Sequence, residues 1–189
     1  MYYALVSKLR RAGFPFLSML PGDETGECEL ILTSKNEASL FGGGVMVAEE
    51  LDDDPGVVRG QIVSRLAGGS GTLLIGIDPG LRMGMAAFYG ETWLAFHTFN
   101  SKDRLCASVV SLVNRTESTK SLIRIGNGNP TMAARIAAKL MPRLPQSIVE
   151  LVDESGTSSR NPRTKGVQTD QSAAARIAFR KGVVLRRSA

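Results

Sequence analysis

An unbroken apolar run, Leu73 to Ile77, ends in Asp78-Pro79-Gly80. Such a run suits a central strand buried on both faces, and it predicts a strand that ends on a carboxylate. Met83 to Tyr89 and Thr92 to Phe99 are two further strand candidates joined by the short Gly90-Glu91 turn, an antiparallel hairpin placed directly after the first strand. Asn100 and Ser101 supply a helix cap, and Leu105, Val109, Leu112 and Val113 form a helical stripe. Leu122 to Ile125 predicts a strand. Asn129 caps a helix with Pro130 at its first position, running to about Leu140, and Pro142 and Pro145 end it. Ile148 to Val152 predicts the fifth strand, and after a basic polar loop Asp170 to Lys181 predicts a last helix closed by Gly182. The expected order is βββαβαβα.

The segment before this pattern is shorter and less regular. Tyr2 to Arg11 and Pro55 to Leu66 predict helices, and Pro15 to Leu17, Leu30 to Thr33 and Val45 to Val47 predict strands. The run Gly68-Gly69-Ser70-Gly71 marks a linker. The expectation is a small α/β domain over 1–70 and a larger α/β domain over 71–189. Gly42-Gly43-Gly44 is not followed by Gly-Lys-Ser/Thr and reads as a turn, not a phosphate loop.

Charge divides the chain at the same place. Residues 1–70 hold 6 Lys/Arg against 10 Asp/Glu, net −4, and residues 71–189 hold 17 against 8, net +9. The C-terminal part is the expected polyanion-facing part, although a merely solvated basic face reads the same way. With 43% hydrophobic residues in 189, the chain can bury a sizeable core, which excludes a disordered class. No stretch approaches the roughly 20 apolar residues of a membrane span, and Met1 to Arg11 lacks the apolar region of a leader. A cytoplasmic protein with no membrane partner is expected. Cys28 and Cys106 lie far apart and read as reduced thiols rather than zinc ligands.

Three segments carry candidate chemistry. Asp78 stands in Ile75-Gly76-Ile77-Asp78-Pro79-Gly80-Leu81-Arg82-Met83-Gly84, where a strand end holds a carboxylate rigidly and glycines permit close approach. Glu154 stands in Val152-Asp153-Glu154-Ser155-Gly156-Thr157-Ser158, after the fifth strand. Asp170 opens the last helix, with Ala173, Ala174 and Ile177 on one face at helical spacing, so it is expected to point toward Asp78. Each has a plainer reading: a turn residue, an acid opening a solvated loop, and an acid favoured by a helix dipole. Three carboxylates converging on a basic domain would repel unless a hard cation such as Mg²⁺ or Mn²⁺ neutralised them. His97, the one histidine, lies on a predicted strand and is not expected to act as a general base.

These segments resemble the motifs of RuvC-type Holliday-junction resolvases and their YqgF-like relatives, within the ribonuclease H-like superfamily, over roughly Leu73 to Lys181. The resemblance implies a mixed five-stranded sheet with helices on both faces. It also implies a metal-dependent endonuclease acting on branched DNA or on RNA, with Asp78, Glu154 and Asp170 as catalytic metal ligands, and a possible homodimer. The resolvase pattern has a glutamate after the fourth strand, where this chain has Gly126-Asn127-Gly128-Asn129. The YqgF-like pattern also lacks it and uses the later Asp-Glu motif, so the chain is more similar to that branch. Arg82, Asn127, Arg160, Arg163 and Lys165 are the candidate nucleic-acid contacts. A non-catalytic nucleic-acid-binding or regulatory protein is the alternative. An actin-like ATPase shares the Asp-x-Gly-x-x-x-Gly pattern but needs the fold twice, and this chain has room for it once.

Overall fold

The computed structural model describes residues 1–20, 22–26, 28–41, 44–154 and 167–186, with the backbone alone for 167–171. The apolar run forms β3 (Thr72–Asp78), followed by β4 (Met83–Tyr89), β5 (Thr92–Phe99), α3 (Lys102–Arg115), β6 (Lys120–Gly126), α4 (Pro130–Leu140), β7 (Ile148–Val152), α5 (Val167–Phe179) and β8 (Val183–Val184). The caps sit where the sequence places them. Ser101 Oγ accepts from the Arg104 amide at 3.5 Å, and Asn129 Oδ1 accepts from the Met132 amide at 3.1 Å with Pro130 behind it.

The fold is mixed α/β, built on one sheet in the order β5-β4-β3-β6-β7-β8. Strands β3, β6 and β7 are parallel; β4, β5 and β8 run antiparallel to their neighbours. The sheet has six strands where five were expected. Val183–Val184 adds an antiparallel edge to β7, because Glu150 Oε2 takes the Gly182 amide at 3.2 Å and turns the chain back along the sheet. The last helix accordingly spans Val167–Phe179 and not Asp170 to Lys181.

Alternation along β3 sorts the sheet's two faces. Leu73, Ile75 and Ile77 join Leu105, Val109 and Leu112 of α3 and Ile136 and Leu140 of α4 in the main core. Leu74 faces the other way, against Ala174 and Ala178 of α5 together with Ala86 and Phe88. Helices therefore cover both faces. Gly76 lies on the α5 side, where a Cβ would stand 2.1 Å from the Ala174 carbonyl oxygen and 2.6 Å from the Ala178 nitrogen. Neither atom belongs to a flexible side chain, so the helix itself would have to move. Gly76→Ala is expected to cost about 1–3 kcal/mol, seen as a lower urea midpoint at unchanged slope.

The N-terminal segment forms α1 (Tyr2–Ala12), a parallel pair of β1 (Ile31–Thr33) with β2 (Val45–Val47), and α2 (Pro55–Leu66). The expected strand at Pro15 to Leu17 is absent. Pro15 has no N–H to give a ladder, and the segment is irregular, with Leu17 81% exposed. Helix α2 faces two ways: Val58 and Ile62 pack with Leu9 and Ala12 of α1, while Val57 enters the main core. Arg59 ties the two sides together, donating to the Ala12 carbonyl at 2.6 Å and the Trp93 carbonyl at 3.3 Å. Part of the acidic cluster before α2 serves this docking. Asp52 pairs with Arg115 of α3 at 3.0 Å, Asp54 caps α2, and Lys8 beside Asp53 holds that carboxyl below its usual range by hydrogen bond and charge.

Candidate functional site

Asp78 is the last residue of β3 and follows Leu74 and Gly76 on the α5 side of the sheet, half-buried. Its neighbour across the parallel ladder is found one residue past the Ile77–Ile125 pair, which is Gly126 at the end of β6. The antiparallel register places Gly84 of β4 on its other side and Thr98 of β5 beyond that. Asp78 thus stands mid-sheet at the carboxyl end of the parallel strands, where α/β folds hold ligands.

Glu154 reaches the same place from β7. Its Oε1 accepts from the Gly128 amide at 2.9 Å, and the carboxylate lies over Gly126, where a Cβ would stand 2.1 Å from Oε1. The same Cβ would meet Ile177 Cδ1 at 2.8 Å, so the carboxylate lies on the face that α5 covers, which is also the face of Asp78. The position after β6 that has no acid of its own is therefore filled in space by the carboxylate of the next strand. Gly126 and Gly128 are parts of the site that the sequence reading missed, apart from noting that the acid expected there is lacking. Gly126→Ala is expected to leave the fold in place and push Glu154 off the Gly128 amide, read as a shift of the Gly128 amide resonance.

The direction of α5 carries Asp170 to this edge. Ala174 and Ala178 straddle Gly76, and the Phe179 ring meets Phe88 at 4.8 Å, beside Leu74 near the start of β3. The helix therefore runs against β3, and the Asp170 backbone, one turn before Ala174, lies toward the Asp78 end. The Asp170 side chain lies outside the described residues. Among the described residues no three His, Cys, Asp or Glu side chains form a group able to hold a metal ion. Asp78 and Glu154 offer oxygen donors alone, the chemistry that suits a hard cation.

The remaining predicted residues divide. Arg82 is exposed in the turn after Asp78, and Asn127 is exposed in the loop between Gly126 and Gly128, its amide bonded to the Val152 carbonyl at 2.9 Å. With Leu151, Asp153, Lys181, Gly182 and Val183, Asn127 lines a recess of about 390 Å³ beside β7. Asp153 is exposed, whereas Glu154 is half-buried over the glycines. Arg160, Arg163 and Lys165 lie outside the described residues. His97, half-buried on β5, faces α2, with Nε2 3.6 Å from the place of a Gly56 Cβ. Thr98, in the Asp78–Gly84–Thr98 row, has a buried Oγ1 with no hydrogen-bond partner among the described residues, and nothing in the sequence marks it. Cys28 is exposed and Cys106 buried, where desolvation pushes the Cys106 thiol up. No described helix is long and apolar enough to cross a membrane. Comparison of the chain with models of known protein families, with curated proteins and with solved structures gives no match.

Proposed function

We propose that the chain is a metal-dependent nuclease with a ribonuclease H-like domain over 71–189, similar to the YqgF-like branch of the RuvC-type families. One observation carries the reading: Asp78 and Glu154, from two strands separated by β6, stand at one edge and on one face of the sheet, and the glycines of β6 and its loop seat the second carboxylate. The order βββαβαβα along 72–179 and the course of α5, which brings Asp170 to that edge, support it further. Asp78, Glu154 and Asp170 would hold Mg²⁺ or Mn²⁺, which when bound supplies charge neutralisation and polarises a phosphodiester. The chain's own residues do the positioning. Strand β3 fixes Asp78, the Gly128 amide fixes one oxygen of Glu154, and Arg82 and Asn127 stand exposed beside them for phosphate contact. Arg160, Arg163 and Lys165 would extend that contact. A homodimer in the cytoplasm acting on branched DNA or on RNA belongs to the same reading.

The test is cleavage of labelled four-way junction, duplex, single-stranded DNA and RNA in Mg²⁺, Mn²⁺ or EDTA. Cutting that requires the metal is expected, and the substrate cut fastest names the polymer. Salt-sensitive binding with no cutting of any substrate would replace the nuclease by a nucleic-acid-binding protein that keeps the fold.

A further inference from the structure

The flank of α5 beside β4 carries an aromatic ring that the fold only half covers. Phe179 is 54% exposed and touches Phe88 edge-on, with centroids 4.8 Å apart and planes at 62°. Phe88 in turn meets Phe96 at 5.8 Å, and Phe96 stacks on Trp93 at 5.7 Å. The four rings form a row from α5 to the outer strand β5. Trp93 is taken at both ends of its stack, by Phe96 and by the Arg59 guanidinium 4.3 Å from its centroid. Both ends of the row reach solvent, Trp93 at 42% and Phe179 at 54%, and Phe179 is the more exposed of the two. In a T-shaped pair no two faces are stacked, so the outer ring keeps a face clear of its partner for a planar ligand.

The charges that α5 and the residues after it set beside that ring are basic. Arg176, one turn earlier, and Arg180, the next residue, are both exposed, and with Ala175 and Phe179 they line a shallow apolar recess on the helix surface. Lys181 follows, also exposed, and along 167–186 Asp170 is the only acid. An apolar recess rimmed by guanidinium groups suits a ligand that alternates flat rings with phosphates. Protein surfaces of ordinary chemistry have no such alternation, and duplex nucleic acid hides its ring faces in the stack.

We infer that the Phe179 surface of α5, flanked by Arg176 and Arg180, is a stacking platform for single-stranded nucleic acid. The inference deepens the nuclease reading and rests on it for the choice of nucleic acid as ligand. Phe179 lies nine residues after Asp170, about 13 Å along the helix at the usual rise. A strand held by its phosphate at the carboxyl edge of the sheet therefore reaches the platform within a few nucleotides. The site would grip unpaired strand leaving the cut position, and favour substrates that have such strand over continuous duplex.

The experiment measures fluorescence anisotropy of labelled 12-nucleotide oligo-dT and oligo-U with the full chain in EDTA, so that binding is read without cutting. Phe179→Leu keeps an apolar contact with Phe88 but removes the π face, and is expected to weaken binding about five- to 150-fold. Phe179→Tyr should bind as the wild type does. Arg176→Ala should reduce the slope of log affinity against log salt by about 0.7. Thermal midpoints of the Leu and Tyr variants identify any loss due to unfolding, and unchanged midpoints with a Leu-specific loss support the platform. Wild-type affinity in Phe179→Leu would overturn it, as would equal loss in Leu and Tyr variants with intact midpoints. A change in oligomeric mass with Phe179→Leu would overturn it in favour of a second copy of the chain on this face. A protein that cuts nucleic acid but binds oligonucleotides without Phe179 refutes the platform alone, and one that binds through Phe179 but never cuts refutes the nuclease alone.

Discussion

Replacing Asp78 by Asn is expected to lower metal-dependent cutting by roughly a thousandfold or more, because a metal's charge stabilisation is worth several kcal/mol and each 1.36 kcal/mol is a factor of ten. Asparagine has nearly the same shape, so the end of β3 and its ladders to β4 and β6 should persist. The substitution removes one negative charge from an edge that also holds Glu154. Asparagine also keeps one oxygen acceptor at the same place, so the variant should melt close to the wild type in EDTA. In Mg²⁺ the wild type should gain stability that the variant does not, since an ion that binds only the folded state stabilises it. Cleavage at fixed oligonucleotide binding, together with melting in EDTA and in Mg²⁺, checks the set. A turn residue of purely structural use would show the reverse, with a lower midpoint in EDTA and cutting reduced only in proportion to unfolding.

Several elements are legible in the residues for local reasons. Leu73 to Ile77 holds no polar side chain, because both faces of β3 are covered, and the structure adds one residue at each end. Ser101, Asn129 and Pro130 announce helix starts through chemistry that involves residues at most three away. What escapes depends on neighbours distant in sequence. Val183–Val184 is too short for any periodic signal and becomes a strand through Glu150 and the open side of β7. The seat of Glu154 is illegible for the same reason: Gly126 belongs to the site because β7 lies beside β6 and returns a carboxylate over it, which only the strand order reveals. Gly76 is a sharper example, since its place beside Asp78 invites a reading in terms of ligand approach. The structure instead gives it to the backbone of α5. The acids before α2 show the same dependence, since Asp53 and Asp52 pair with Lys8 and Arg115, which stand 45 and 63 residues away in the sequence.

The largest loss of stability is expected from Arg124→Ala. Arg124 points from β6 into the α5 side of the sheet, 8% exposed, and its Nε pairs with Glu150 Oε2 of β7 at 2.7 Å. Its Nη1 donates to the Ala178 carbonyl at 2.6 Å, near the end of α5, while Glu150 accepts the Gly182 amide that opens β8. One ion pair therefore holds the end of a helix, the start of a strand and two strands of the sheet. Taking two charges out of water costs nearly as much as their attraction returns, so the pair as a whole contributes little net stability. Removing one partner is different, because Glu150 would stay buried with its charge uncompensated and the Ala178 carbonyl would lose its donor. Arg124→Ala is accordingly expected to cost about 3–5 kcal/mol, or a fall in Tm of roughly 6–20 °C for a chain of this size. Replacing the pair together, Arg124→Met with Glu150→Leu, should recover the part of the loss due to the uncompensated charge but not the part due to the Ala178 carbonyl and the Gly182 amide, which stay without their partners, and thermal melts of the single and double variants measure it. Because α5 also carries Asp170, the single variant should lose cutting activity below its melting range, whereas the double variant, which buries no lone charge beneath α5, should regain part of it.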